Sequence, residues 1–302
     1  MSSLRLAFVG LGGMGGGMAC RLAESGFPLA VYNRTASKAD EVKGLGASVH
    51  ESPAEAAEGA NVALLSLANE HIVEELIYGA TGLAQTLAPG SYIVDMSTVS
   101  PDFARANAER ATAAGYHVLD ACVLGNPFHA RSGDLRVMIG GTEEDVQALL
   151  PVFEAIGKQV LHVGDNGMGA SMKLVLNLLM GIQMPALAEA LVFGEHLGLS
   201  RADMLHLIKG SGYSSPVMDF RCDLIEKRAF DFAAFKLGLM QKDVMLVLDE
   251  AHKHDVPMPV SESAYASLTS AKRQGLGDLD VSAIVAFQER FSGMTDQPWP
   301  LD

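Results

Sequence analysis

The chain has 302 residues, 49% of them apolar, and a formal net charge of −14 from 22 Lys and Arg against 36 Asp and Glu. That length predicts two domains rather than one. The acidic balance, with no basic patch in the sequence, excludes a role on nucleic acid or an anionic membrane surface.

The first predicted strand, Leu6–Val9, begins almost at the N-terminus, so no signal peptide is expected. It runs into Gly10-Leu11-Gly12-Gly13-Met14-Gly15, then a helical pattern through Met18 and Leu22, then a second strand, Leu29–Tyr32. Strand, glycine turn, helix and strand are the setting in which G-x-G-x-x-G binds a dinucleotide. Gly10 permits the tight turn, Gly12 lets a pyrophosphate approach the backbone, and Gly15 lets helix and sheet pack closely. The end of the second strand selects the cofactor. A site for NAD usually carries Asp or Glu there, whereas this chain has Asn33-Arg34-Thr35, with Lys38 beyond. An acidic side chain would repel a 2′-phosphate and Arg34 can fork onto it, so NADP (NADPH) is expected.

Strand patterns continue at Val62–Leu67, Tyr92–Met96, His117–Ala121, Val137–Ile139 and Val160–Val163, alternating with helices. This alternation predicts a mostly parallel sheet flanked by helices. Strand signals then stop, and helical patterns cover about 170–197, 201–210, 216–227, 235–254, 259–274 and 281–291. Ser200 and Asp280 are candidate N-caps, Gly198 ends the first of these helices, and Pro185 should kink it or sit where its lost hydrogen bond is tolerated. The fold class is therefore α/β, a Rossmann-type doubly wound sheet domain (1–163) followed by an all-helical domain (164–302) led by a long interdomain helix. The segment 172–193 contains Lys173, Asn177, Gln183 and Glu189 and reads as a buried central helix rather than a membrane span. Long apolar faces such as Leu237, Met240, Val244 and Leu248 need burial against each other or a second subunit, and a dimer or tetramer is expected. The tail Thr295–Asp302 has no periodicity and is expected to be loose. Cys20, Cys122 and Cys222 are odd in number and widely spaced, which suits a reduced, cytoplasmic protein. The nine His residues form no ligand cluster, and no metal is expected.

Lys173 and Asn177 are four apart and share one helix face among apolar neighbours. Burial of such a lysine lowers its ammonium pKa and suits it to donate a proton as a carbonyl is reduced. Asn177 would orient the ammonium or bind substrate. The alternative is a lysine whose stem packs while its head reaches an internal carboxylate.

With these residues in hand, the chain resembles the β-hydroxyacid dehydrogenase family, which includes the 3-hydroxyisobutyrate dehydrogenases. Four motifs occur in order: Gly10–Gly15, the loop Asp120–Gly133, Gly169 through Lys173 to Asn177, and Lys242-Asp243. Glu51–Glu55, Asp95–Thr98, Met172–Asn177 and Gly275–Asp280 resemble the glyoxylate/succinic semialdehyde reductase branch. The resemblance implies that Lys173 is the catalytic lysine and Asn177 the asparagine beside it. It further implies that Leu67, Ala68 and Thr98 lie near the cofactor, and that Lys242 closes over it from the segment that Phe235 begins. A plain solvated Lys242-Asp243 pair and a core Phe235 are the alternatives. The activity implied is hydride transfer from NADPH to the carbonyl of a small aldehyde or keto acid. One departure stands out. The family loop Asp-Ala-Pro-Val-Ser-Gly-Gly is here Asp120-Ala121-Cys122-Val123-Leu124-Gly125-Asn126, so a substrate-binding hydroxyl is replaced by Leu124. Backbone N–H groups at Gly125 and Asn126 remain to cradle an anion, and a bulkier or less acidic substrate is expected. His129 is either a surface histidine or a second acid. An imine reductase on the same fold, usually with Asp or Tyr in place of Lys173, and a non-catalytic nucleotide-binding module are the competing functions.

Overall fold

The computed structural model describes residues 4–294; the tail 295–302 lies outside the described residues. The chain divides into two compact units, one ending at Lys173 and the other starting at Leu174.

The first unit alternates β1 (Leu6–Val9), α1 (Gly13–Glu24), β2 (Leu29–Tyr32), α2 (Asp40–Gly44), β3 (Ser48–Val49), α3 (Pro53–Ala57), β4 (Val62–Leu65), α4 (Glu70–Tyr78), β5 (Tyr92–Asp95), α5 (Pro101–Ala113), β6 (His117–Leu124), α6 (Pro127–Ser132), β7 (Leu135–Gly140), α7 (Glu143–Ile156) and β8 (Gly157–Gly164). The eight strands form one sheet in the order β3-β2-β1-β4-β5-β6-β7-β8, parallel at every pairing except β6 with β7. The inner strands read as continuous apolar runs because both faces are covered, and Leu6, Ala7, Phe8 and Val9 are all buried. The two-residue edge strand β3, with both residues exposed, carries no apolar signal and was not predicted. β6 extends to Leu124, three residues beyond the expected end at Ala121, and β4 stops at Leu65 rather than Leu67.

The remaining helices are α8 (Met168–His196), α9 (Arg201–Ile208), α10 (Pro216–Lys227), α11 (Leu237–Lys253), α12 (Pro259–Arg273) and α13 (Ile284–Phe291). α8 runs through Pro185 as one helix of 29 residues, long and apolar enough to cross a bilayer by length and composition alone. Its Met184, Leu187, Ala188 and Leu191 belong instead to the core of the second unit. Ser200 caps α9 by accepting the Asp203 N–H, and Asp280 accepts the Ser282 N–H at the turn entering α13. The unit boundary falls ten residues later than the predicted 163/164. The first turn of α8 is hydrogen-bonded to β6 and goes with the sheet (Gly167 and Ala170 N–H to the Asp120 carboxylate). Of the two ways to bury the face of Leu237, Met240, Val244 and Leu248, the structure shows the first: they are buried among the second unit's own helices. On α8, Met168, Met172, Val175, Leu179 and Phe193 are exposed.

A buried carboxylate ties the second unit together. Glu289 on α13 receives two hydrogen bonds from the Arg228 guanidinium, at 2.9 and 3.0 Å, and an ion pair from Arg201 at 2.5 Å. Burial opposes its ionisation, but the bonds from Arg228 and the charge of Arg201 outweigh burial and hold the carboxyl below its ordinary range. Its stabilising contribution is therefore complete above the usual carboxylate pKa of about 4.3 and is lost as pH falls through the lower native value. Glu289→Gln should destabilise the protein by about 1–3 kcal/mol at pH 7. The difference from the parent in urea unfolding should vanish under strongly acidic conditions; a difference independent of pH would contradict the assignment.

Candidate active site

In-register pairing brings the carboxyl ends of the central strands level. Val9 lies opposite Tyr32 and Leu65, Leu65 opposite Asp95, and Asp95 opposite Asp120. The loops leaving this edge carry Gly10–Gly13, Asn33–Thr35, Leu67–Ala68 and Thr98, so most of the predicted cofactor residues converge on one rim. Lys38 follows in a short turn and is exposed, as is Arg34. This rim includes the point where strand order reverses between β1 and β4, the place where open α/β sheets bind ligands.

The three fingerprint glycines have distinct physical causes. Gly10 has φ +98°, and a Cβ there would run into the Ser66 carbonyl. A Cβ on Gly15 would overlap the Gly10 carbonyl oxygen. A Cβ on Gly12 would meet nothing within 4 Å, so the fold itself does not demand that glycine. The open side of Gly12 is where an approaching pyrophosphate finds backbone instead of a side chain. Gly12 is also the N-cap of α1, with no side-chain cap and no acidic residue in the first turn, which leaves the helix start favourable to an anion. Met14 packs against the core of the sheet. These residues fit a dinucleotide.

Asn33 braces the rim. Its Oδ1 accepts the Leu11 N–H at 2.8 Å and its Nδ2 donates to the Thr35 carbonyl at 2.9 Å, tying the glycine loop to the segment bearing Arg34. Ser97 does the same for the next loops. Its Oγ accepts the Leu67 N–H at 2.9 Å, and its own N–H goes to Asp95.

The Lys173 side chain is half-buried, and its Nζ donates to the Val123 carbonyl at 2.7 Å. Val123 lies on the part of β6 that overshoots β5, directly before the predicted substrate residues Leu124, Gly125 and Asn126. Leu124 is the last residue of the strand rather than part of the loop. Asn126 is the N-cap of α6: its Oδ1 accepts the His129 N–H at 3.1 Å, and the His129 Nδ1 accepts the Asn126 N–H at 3.2 Å. The expectation that the Asn126 N–H helps cradle an anion is thereby corrected, since that donor is taken within the capping box. The signal was present in the sequence: Asn followed by Pro127 is a helix start. The neutral His129 ring consequently carries its proton on Nε2.

Asn177, Phe235 and Lys242 belong to the second unit. The Asn177 Nδ2 donates to Asp243 Oδ2 at 2.6 Å, and Lys242 Nζ lies 2.8 Å from Asp243 Oδ1. A carboxylate only accepts, so this contact fixes the amide and leaves Asn177 Oδ1 as its acceptor face. Asp243 is 1% exposed. Phe235 donates its N–H to the buried Asp280 at 3.0 Å. Sequence reasoning placed Asp120, Ser97 and Asp243 inside motifs but gave them no role of their own. For Asp120 and Asp95 the available signal was a lone carboxylate inside an apolar strand, which persists only when hydrogen-bonded. Among the described residues no cluster of His, Cys, Asp and Glu could hold a metal ion.

Comparison with known proteins agrees with this geometry. Residues 5–164 match the NAD-binding domain of 6-phosphogluconate dehydrogenase, and residues 167–288 match the NAD-binding family of NADP-dependent 3-hydroxyisobutyrate dehydrogenase. The chain is 34% identical to 2-(hydroxymethyl)glutarate dehydrogenase of Eubacterium barkeri, over 97% of each chain. It is 32% identical to glyoxylate/succinic semialdehyde reductase 1 of Arabidopsis thaliana, over 93% of this chain and 97% of the relative. The crystal structure of a 3-hydroxyisobutyrate dehydrogenase from Salmonella typhimurium superposes with a TM-score of 0.88 at 26% identity, over 94% of this chain and 99% of that one. The chain belongs to the β-hydroxyacid dehydrogenase family. It is an NAD(P)-dependent oxidoreductase acting on CH–OH and C=O groups.

Proposed function

We propose that this enzyme is an NADPH-dependent reductase of a small aldehyde or keto acid, with Lys173 as the proton donor. The observation that carries the reading is the Lys173 ammonium held on the Val123 carbonyl, one residue before the predicted substrate segment. When bound, the cofactor supplies hydride to the carbonyl carbon. Lys173 then gives a proton to the carbonyl oxygen, and the C=O group becomes CH–OH. Leu124 offers no hydroxyl to a substrate carboxylate, and the Asn126 N–H is engaged, which supports a bulkier or less acidic substrate than a simple semialdehyde acid. The relatives named above act on a hydroxymethyl dicarboxylic acid or on glyoxylate and succinic semialdehyde, and that range supports a carbonyl substrate over an imine. Residues 1–163 would bind the cofactor, and residues 164–302 would serve substrate closure and assembly. The three cysteines are buried and outside any disulfide, in keeping with a cytoplasmic setting.

Preference for NADPH rests on exposed Arg34 and Lys38 and on the absence of an acid at 33–35. Arg34→Asp should weaken NADPH binding at least about 10-fold more than NADH binding, because a charge-assisted fork becomes a repulsion. Fluorescence titrations showing equal affinity of the parent for both cofactors would refute the preference.

Assembly as a dimer or tetramer is supported by the exposed apolar residues Met168, Met172, Val175 and Leu179, which recur at helical spacing along α8. Sedimentation at micromolar concentration should give a multiple of the 31.9 kDa chain mass, and Leu179→Arg should lower it. A parent protein sedimenting as a single chain would contradict the proposal.

For the function itself, Lys173→Met should keep NADPH binding and lose about 100- to 10,000-fold in kcat, the usual worth of a positioned acid. The loss should appear in kcat/KM as well. Single-turnover reduction of glyoxylate or succinic semialdehyde at the parent rate by the folded variant would remove Lys173 from the mechanism.

A further inference from the structure

We propose that Asp120 is a positioning residue for the proton donor, its carboxylate clamping the first turn of α8 to β6 and so setting where the Lys173 ammonium stands. The proposal rests on the reading of Lys173 given above.

Asp120 is 4% exposed in the middle of an apolar strand. Its Oδ1 accepts the N–H of Gly167, the residue before α8, at 2.8 Å, and its Oδ2 accepts the N–H of Ala170, in the first turn, at 2.8 Å. Helix starts have orphan N–H groups that a neighbouring side chain normally caps. Here the cap comes from a strand about fifty residues earlier, while the local Asn166 donates to the Val118 carbonyl and adds a side-chain hydrogen bond to the Asp120 carboxylate. Two glycines leave the carboxylate no slack. A Cβ on Gly140 would lie 2.5 Å from Oδ1, and one on Gly169 would lie 2.9 Å from Oδ2. Burial pushes the carboxyl above its ordinary range, and the Gly167 and Ala170 N–H groups oppose that rise. The bonds to those two donors are the charge-assisted kind, shorter and stronger than neutral ones.

The clamp bears on Lys173 through spacing. Three residues after Asp120, the Val123 carbonyl accepts Lys173 Nζ. Three residues after Ala170 comes Lys173 itself. Strand and helix are thus joined at two points, carboxylate to N–H and ammonium to carbonyl. From that turn the lysine stem reaches the strand, where its Nζ meets the Val123 carbonyl at 2.7 Å. A flexible stem reaches a defined point only from a fixed origin. The Asp120 contact supplies that origin, and a displacement of about 1 Å at a catalytic group can cost about 100-fold in rate.

The test is a double-mutant cycle on the full chain with NADPH and with glyoxylate or succinic semialdehyde as probe. Asp120→Asn keeps the side-chain volume but turns an amide NH2 toward one of the two N–H donors. In the folded variant kcat should fall about 10- to 100-fold while NADPH affinity stays unchanged. In the Lys173→Met background the same change should cost nothing further, because both act through one group. A merely structural aspartate would lower stability without changing kcat per folded site, and a separate catalytic effect would persist in that background; either result overturns the proposal. If Asp120→Asn yields no folded protein, Gly169→Ala displaces the same turn with the carboxylate in place, and an unaltered kcat there also overturns it. Full aldehyde reduction by Lys173→Met alone brings down the functional reading and this inference with it. Loss in Lys173→Met beside an unaffected Asp120→Asn removes only this inference.

Discussion

The first unit depends on a contact between two glycines. The Gly10 carbonyl lies where a side chain at position 15 would have to go, so α1 can seat on the end of β1 only because residue 15 has none. Gly10 is in turn pressed against the Ser66 carbonyl at the end of β4. These approaches bring β1, α1 and β4 together at the rim where strand order reverses. They aim the open N-terminus of α1 across Gly12, and the NAD(P)-binding character of the domain follows from that placement.

Buried carboxylates form the second layer of organisation. Asp95 holds the N–H of Ser97, Asp120 holds those of Gly167 and Ala170, Asp243 holds the amide of Asn177, and Asp280 holds the N–H groups of Phe235 and Ser282. Each is at most 4% exposed. An ionised group in that environment persists only when hydrogen bonds replace its water. Each therefore locks a loop, a helix start or a side chain in place. Arg221 lies 3.6 Å from Asp280 and shares its burial, which lowers its guanidinium pKa against the attraction of that carboxylate.

The end of β6 shows how a small change of sequence redirects backbone groups. Where the family pattern has Ser-Gly-Gly, this chain has Leu124-Gly125-Asn126 followed by Pro127. Leu124 finishes the strand, Gly125 adopts φ +152° beside Leu135 and His129, and Asn126 starts a helix. A loop position of the family pattern is thereby turned into a helix cap, with the Asn126 N–H engaged by His129.

Much of this was legible in the sequence for a local reason. Apolar runs, glycine spacing and caps at Ser200 and Asp280 encode short-range structure, so the alternating sheet unit, the helical remainder, the glycine loop and the Lys173–Asn177 face could all be read from the chain. The ends of β4 and β6, the edge strand β3 and the unit boundary could not, because pairing with neighbours and the Asp120 clamp set them. The face of α11 bearing Leu237, Met240, Val244 and Leu248 makes the same point. Periodicity marks a face as apolar, but only the packed structure decides whether another helix of the same chain covers it. The sequence by itself determined which groups are available: three glycines without side chains, an arginine where an acid would stand, a lysine in an apolar helix. The tertiary structure alone decided which of them meet, since the hydrogen bonds of Asp120, Val123 and Asp243 join residues roughly fifty or more positions apart, beyond the reach of any local pattern.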